Sequence, residues 1–142
     1  MGSADGQGAA ARFNSPYGLA AASDGRLYVA DGHAIRCISS AGVVSTLAGT
    51  AELEDSTDGP FWSFSSAVPG PGGMLYVVKL GNSSIRCISA AGMVSTLAGA
   101  AGLEGRADGV GPAARFSQLR RLALGPDGSL YASDHDRVRR IT

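Results

Sequence analysis

Short apolar runs alternate with glycine-containing turns along the chain, and the same order of runs returns three times. Each run is rich in Val, Ile, Leu and Tyr and is bounded by turn residues, a pattern typical of β-strands. Dipeptides such as Asp-Gly, Gly-Gly and Ala-Gly between the runs favour tight hairpins. The pattern predicts strands a to d in order: a at 17–22, 67–69 and 121–125; b at 26–30, 74–78 and 129–133; c at 34–39, 84–89 and 137–141; d at 43–49 and 93–99.

The spacing of the repeated residues separates packed elements from loops. A phenylalanine precedes the Leu-Tyr pair of strand b by the same 14 residues in all three copies, starting from Phe13, Phe61 and Phe116. Lengths vary between strands b and c and between strand d and the next phenylalanine. Because packed elements keep their length and surface loops do not, the repeats should share one architecture.

Four antiparallel strands repeating about every 50 residues predict the blades of a β-propeller. The predicted fold class is all-β, with one propeller segment over 1–142. Its four-stranded blades span about 13–50, 61–100 and 116–142, and the third lacks its outer strand d. Each blade should bury its faces against its neighbours.

Side-chain patterns refine the placement of strands b and c. Strand b is apolar on both faces, as expected for a sheet stacked between sheets. Strand c carries Arg36, Arg86 and Arg139 at equivalent positions, which predicts that this strand lies nearer the rim. Cys37 and Cys87 also occupy one repeat position and are predicted to be small buried hydrophobic residues.

The repeated segments resemble NHL repeats, a family of β-propellers. The matching stretches are GSADGQGAAARF (2–13), PYGLA (16–20), DGRLYVAD (24–31), IRCI (35–38) and GVVSTLAG (42–49). The resemblance implies six blades in a typical complete domain, so three blades would be half of a ring. Blade two departs most, with Trp62, Ala67 and Lys79 at positions where blade one has Asn14, Leu19 and Asp31.

Three blades alone would leave two apolar faces and an unpaired strand edge. We therefore expect either the remainder of a longer propeller or a homodimer, in which two chains close a six-bladed ring. The missing strand d argues against an optimised dimer, and what completes blade three stays open.

The b–c loops should lie together on one face of the propeller, where ligands often bind. Their polar residues are the ligand-binding candidates: Asp31, His33, Lys79, Asn82, Asp134, His135 and Asp136. Some propellers similar to NHL proteins, such as the peptide-amidating lyases, hold zinc with histidines, which leaves a metal-dependent lyase or hydrolase as an alternative. Asp31 and Asp134 could instead accept hydrogen bonds from loop backbone.

Charge adds little support for a polyanionic partner. The chain has 12 basic and 12 acidic side chains, so no overall field attracts nucleic acid or an anionic membrane. Some NHL propellers bind RNA through a basic face, which makes Arg120 and Arg121 the RNA-binding candidates. Sparse aromatic residues argue against that role. No apolar run approaches the roughly 20 residues that span a bilayer.

The sequence contains no motif of a catalytic nucleophile, such as G-x-S-x-G. It therefore predicts a protein that is not an enzyme and has no catalytic residue, metal or cofactor. The predicted function is a scaffold that presents loops to a protein or peptide, with RNA binding and metal-dependent catalysis as alternatives. The aromatic group Phe61, Trp62 and Phe64 is predicted to fill a wedge between blades.

Overall fold

The computed structural model describes residues 1–48, 64–79, 83–100 and 102–141, which form β-strands joined by turns and short 3₁₀ segments. The strands are β1 Gly6–Gln7, β2 Pro16–Ala21, β3 Leu27–Asp31, β4 Ala34–Ile38, β5 Val43–Ala48, β6 Phe64–Pro69, β7 Leu75–Lys79, β8 Ser84–Ile88, β9 Val94–Gly99, β10 Leu119–Leu124, β11 Leu130–Asp134 and β12 Arg137–Ile141. The 3₁₀ segments are Gly8–Ala10, Pro71–Gly73 and Gly111–Ala113. Within these ranges, no helix has the length and apolar character needed to cross a membrane.

The described strands form three antiparallel sheets, one for each repeat. The second sheet has the order β6-β7-β8-β9, and the third stops at β12 with the order β10-β11-β12. The first sheet contains β2 to β5 in sequence order and has β1 paired outside β5. The prediction of all-β, four-stranded antiparallel units with a third unit lacking strand d is confirmed.

The strand β1 was not expected from the sequence. It belongs to the first Asp-Gly loop and pairs Gly6 with Val44 and Gln7 with Val43. Two residues are too few to show a period in the sequence. This strand covers the outer edge of β5, which would otherwise present unpaired backbone groups.

Apolar side chains fill the space between successive sheets in two clusters. The first cluster joins sheets one and two: Tyr28, Ala30, Ile35, Ala48, Leu75, Val77 and Ile88. The second joins sheets two and three: Val78, Ile85, Ala98, Ala114, Phe116, Leu119, Leu122, Leu130 and Ala132. Val77 and Val78 are adjacent yet face different clusters, so strand b is buried on both faces as predicted.

The two end faces of this stack leave apolar side chains uncovered. Leu19 is 75% exposed, whereas Leu122, at the same position in sheet three, is 8% exposed against sheet two. Val138 is 75% exposed, whereas Ile85, its equivalent in sheet two, is fully buried. The same repeat position is therefore core inside the stack and surface at its ends.

The two cysteines, which occupy one repeat position, are packed into the protein to different extents. Cys87 is buried and Cys37 is half-buried, and both are free thiols. Desolvation by burial raises the pKa of both thiols. Neither residue has the lowered pKa of a reactive cysteine.

Two equivalent c–d turns provide a matched test of packing between blades. Gly42 and Gly92 both have positive φ values, 81° and 85°. A Cβ at Gly92 would lie 2.7 Å from the carbonyl oxygen of Leu47, whereas a Cβ at Gly42 would have no heavy atom within 4 Å. The second turn therefore packs against the preceding blade and the first does not.

We expect Gly42→Ala to lower the free energy of unfolding by about 1 kcal/mol, because alanine is strained in the left-handed region. Gly92→Ala should cost about 1–3 kcal/mol more, because the methyl group must displace the Leu47 carbonyl. Urea denaturation of both variants measures the difference. Equal losses would contradict the close packing of this turn on blade one.

Candidate functional site

Asp31, at the start of the b–c loop of blade one, forms a buried ion pair with Arg36. The Arg36 side chain is 1% exposed, and its Nη1 lies 3.1 Å from Asp31 Oδ2 and donates to the Arg12 carbonyl at 3.0 Å. Its Nη2 donates to Asp5 Oδ1 at 2.8 Å and to the Ala4 carbonyl at 3.1 Å. One guanidinium therefore joins strands b and c to the Asp-Gly loop.

Asp31 uses its second oxygen to hold the segment that enters the blade. Its Oδ1 accepts from the backbone N–H of Asn14 at 2.9 Å and of Ser15 at 2.7 Å. Both oxygens of this buried carboxylate thus have partners inside the protein. Charge-assisted bonds of this kind compensate for the desolvation of the ion pair.

Blade three repeats the same network at equivalent positions. Arg139 donates to Asp134 at 3.1 Å, to Asp108 at 2.8 Å, and to the carbonyls of Arg115 and Ala107. Asp134 accepts from the N–H groups of Ser117 and Gln118 at 2.8 and 2.7 Å. The two guanidinium carbons lie 5.2 and 5.0 Å from the ring centres of Phe13 and Phe116.

Arg36 and Arg139 do not project from strand c into solvent, because both side chains are almost completely buried. Burial is tolerated since two carboxylates and two carbonyls surround each guanidinium. The sequence signal that could have indicated this network was the recurrence of Asp-Gly, Leu-Tyr-x-x-Asp and Ile-Arg at matched spacing. Nothing local joins Arg36 to Asp5, which is 31 residues away.

Strand d also contributes to the network in blade one. The Thr46 hydroxyl donates to Asp5 Oδ1 at 2.9 Å, beside the bond from Arg36. Burial of the Asp5 carboxyl opposes ionisation, but the hydrogen bonds from Thr46 and Arg36 outweigh it and lower the pKa of Asp5. Asp5 therefore joins strand c to strand d.

The histidine candidates do not occupy equivalent positions. His135 has a φ of 55°, the left-handed conformation that Gly32 adopts after Asp31 in blade one. His33 is one position further along its loop and is exposed. The two imidazoles are therefore presented differently by their loops, as their unequal spacing from Asp31 and Asp134 predicts.

Asp136 lies in an exposed charged group on blade three. Its Oδ1 is 3.4 Å from His135 Nδ1, 3.7 Å from Arg106 Nη2 and 3.8 Å from Arg137 Nε. Desolvation opposes ionisation, but hydrogen bonding and the charge of Arg106 lower the pKa of Asp136. Exposed pairs at these distances contribute little stability and leave the charges available to a partner.

The remaining candidates are Lys79, Asn82, Arg120 and Arg121. Asn82 and the aromatic pair Phe61 and Trp62 lie outside the described residues, as does the Lys79 side chain. Arg120 and Arg121 are exposed; the register of β10 shifts between Leu119 and Arg121, and Arg121 lies opposite Ser133. Arg120 lies 3.5 Å from the side-chain oxygen of Gln118.

The arrangement does not fit the metal centre that the sequence left open as an alternative. The carboxylate oxygens of Asp31 and Asp134 already accept hydrogen bonds from arginine and from backbone N–H groups. In addition, the two histidines are not at equivalent positions. Among the described residues, no group of three or more His, Cys, Asp or Glu side chains could hold a metal ion. The ligand set that a zinc centre needs is therefore not assembled by this part of the chain.

The sequence did not indicate a cleft at the opposite end of the blades. Its volume is about 570 Å³, and it is lined by the three a–b turns. Its polar side chains include Asp24 and Arg26, which are joined by an ion pair of 2.8 Å, and Tyr28. The sequence feature that could have pointed to this cleft is the recurrence of turn residues after each strand a.

Solved structures with similar folds are propeller proteins much longer than this chain. A protein of unknown function from Bacteroides thetaiotaomicron is 17% identical over 88% of this chain and 34% of its own, with a TM-score of 0.67. Virginiamycin B lyase from Staphylococcus aureus is 16% identical over 91% and 38%, with a TM-score of 0.61. A gluconolactonase from Xanthomonas campestris is 16% identical over 87% and 36%, with a TM-score of 0.59.

These likenesses establish the β-propeller fold alone, and the chain spans little more than a third of each of those structures. No curated protein matches the chain. The family model of the Teneurin NHL domain matches residues 2–67. That segment contains the first Asp-Gly loop and all of sheet one, and therefore the buried network around Arg36. The match over residues 2–67 supports an NHL-repeat assignment for this chain.

Proposed function

We propose that this chain is a non-catalytic NHL-type propeller scaffold that binds a protein or peptide, and that two copies close a six-bladed ring. The proposal is supported by what the repeated charges do. Asp31 and Asp134 hold loops and arginines in place, so they build the b–c face rather than react on it. His33, His135 and Asp136 remain exposed there as contacts for a partner.

The observation that carries the two-copy ring is the exposure of core positions at both ends of the stack. Leu19 and Val138 occupy positions that are buried where blades meet inside the chain. An end of blade one facing an end of blade three from another copy would repeat the internal junctions. Such head-to-tail contacts close a ring only if the rotation from each blade to the next brings the sixth blade back against the first.

We expect the chain to have twice its monomer mass in light scattering after gel filtration. Leu19→Asp should convert it to monomer, because a carboxylate at a buried junction carries a desolvation cost without a partner. Met93→Asp is the matched control, since Met93 is 72% exposed in a c–d turn away from both end faces.

A stable monomer of the wild-type chain would overturn the two-copy ring and favour the remainder of a longer propeller. Retention of the dimer in Leu19→Asp would place the contact elsewhere. A stoichiometric metal lost in the His33→Ala, His135→Ala double variant would instead favour the metal-dependent alternative, despite the lack of a suitable cluster among the described residues.

A further inference from the structure

Three exposed arginines lie on the b–c face of blade three, at positions where the other blades carry no charge. We call them the b–c arginine group: Arg106 on the Asp-Gly loop, Arg120 in β10 and Arg137 at the start of β12. Their equivalents in blade one are Ser3, Tyr17 and Ala34, and blade two has Ser65 and Ser84 at the last two positions. Because the blades share one framework, this positive charge belongs to blade three and is not needed to build the repeat.

A carboxylate of the protein itself lies between two members of the group. Asp136 Oδ1 is 3.7 Å from Arg106 Nη2 and 3.8 Å from Arg137 Nε. Charge-assisted hydrogen bonds between a guanidinium and a carboxylate measure about 2.7–2.9 Å, so these contacts attract without forming such bonds. Neither arginine side chain donates a hydrogen bond within the part of the chain that the structure describes. Both guanidinium groups therefore lie beside a carboxylate with their donors still available.

Arg120 is joined to the same surface through the b–c turn. The backbone N–H of His135 donates to the Gln118 carbonyl at 3.1 Å, which holds the turn against the segment that enters β10. The side-chain oxygen of Gln118 lies 3.5 Å from Arg120 Nη2. The third guanidinium therefore lies on the side of the turn that faces β10.

The carboxylates around this group leave its positive charge in excess. Asp108 and Asp134 are paired with Arg139 at 2.8 and 3.1 Å. Glu104, on the same loop as Arg106, forms no ion pair within the described residues. In that part of the chain, a single carboxylate, that of Asp136, therefore lies within 4 Å of the three guanidinium groups.

We infer that the b–c arginine group binds an acidic segment of a protein partner. One carboxylate of the segment pairs with Arg106 and Arg137, which Asp136 approaches only loosely, and another pairs with Arg120. Arginine suits this role because its planar fork of N–H donors matches a carboxylate. This inference rests on the protein- or peptide-binding part of the proposed function and is independent of the two-copy ring.

The size and surroundings of the group favour a peptide over nucleic acid. Proteins that read single-stranded RNA stack bases on several aromatic side chains. Tyr17 is the one exposed aromatic residue in the described ranges, and it belongs to blade one, where its hydroxyl donates to the Gly32 carbonyl at 3.4 Å. A duplex presents a long array of phosphates, whereas these arginines are confined to one blade. Two or three carboxylates on a short segment match a group of this extent.

The test uses three rhodamine-labelled peptides that differ only in charge, GEGEGEG, GQGQGQG and GKGKGKG. Each is titrated with the full chain and followed by fluorescence anisotropy. We expect saturable binding of the glutamate peptide, roughly tenfold tighter than that of the glutamine peptide, since each exposed ion pair adds a small factor. Added sodium chloride should weaken the binding, because salt screens exposed charges.

Variants of the protein locate the contact. Arg106→Gln and Arg137→Gln should each weaken binding of the glutamate peptide roughly threefold. Asp136→Asn should instead strengthen it roughly threefold, because the change removes a carboxylate that competes for the same guanidinium groups. Arg26→Gln is the matched control, since it removes the same charge at the opposite end of the blades and should leave the affinity unchanged. Circular dichroism checks that each variant is folded.

Equal binding of the glutamate and glutamine peptides would overturn the inference, as would equal losses in Arg26→Gln and Arg137→Gln. If the glutamine or lysine peptide binds and the glutamate peptide does not, the peptide-binding function stands and the acidic partner is rejected. If a folded chain binds none of the three, that function fails as well. Tighter binding of a labelled oligouridylate, with the same dependence on Arg106 and Arg137, would reject the peptide in favour of nucleic acid. Light scattering of the same samples reports on the ring separately.

Discussion

Replacing Arg36 by methionine is expected to lower the free energy of unfolding by about 3–5 kcal/mol, because it leaves the buried Asp31 carboxylate without its counter-charge. The same change removes the donors to Asp5 and to the carbonyls of Ala4 and Arg12. The Asp-Gly loop should therefore detach from strand c. Urea denaturation followed by far-ultraviolet circular dichroism measures the loss.

A second variant distinguishes a lost ion pair from lost packing. Asp31→Asn removes the uncompensated charge, and its side-chain oxygen can still accept from Asn14 and Ser15. The double variant Arg36→Met, Asp31→Asn should therefore be more stable than Arg36→Met alone. Arg26→Met is the control at a partly exposed ion pair with Asp24 and should cost no more than about 1 kcal/mol. A loss below about 1 kcal/mol in Arg36→Met would contradict the structural role of the network.

The strands were predictable from the sequence because their signals are local. Leu75, Val77 and Val78 indicate a strand that is apolar on both faces, and Gly42 and Gly92 mark the c–d hairpins of blades one and two. The start of β6 was harder to predict: the sequence indicated a strand only at 67–69, whereas the strand begins at Phe64. Pairing of Phe64 with Lys79 extends it, so the partner strand rather than local composition sets that boundary.

The candidate site was predicted less well because its chemistry depends on residues far apart in sequence. Asp31 was recognisable as a polar residue after a strand, where an aspartate can bind either a ligand or the loop backbone. Its bond to Arg36 needed the register of β3 against β4, and the bond from Arg36 to Asp5 needed the path of the first loop. Repetition of both aspartates and the arginine was visible, but repetition alone does not show contact.

The second large effect is expected at Phe116, where the Asp-Gly loop enters the junction between blades two and three. Its side chain is fully buried with Ile85 and Leu119 and lies under the Arg139 guanidinium. Phe116→Ala should lower the free energy of unfolding by about 3–5 kcal/mol, through lost burial and the cavity that remains. Phe116→Leu should recover a large part of that loss, because it fills more of the space.

Phe13 is the matched residue at the open end of blade one. It lies under Arg36 in the same way but is only half-buried, because no described blade precedes it. Phe13→Ala should therefore cost less than half as much as Phe116→Ala in the monomer. Urea titrations at several protein concentrations make the comparison, with the mass of each sample measured by light scattering.

If two copies close the ring, the costs of Phe13→Ala and Phe116→Ala should depend differently on protein concentration. Closure would bury Phe13 in a junction like the one that holds Phe116, so the cost of Phe13→Ala should rise as dimer forms. The cost of Phe116→Ala should not follow concentration in this way, because its junction lies within one chain. Equal costs at all concentrations would contradict the equivalence of the internal and end junctions, even if the chain is a dimer.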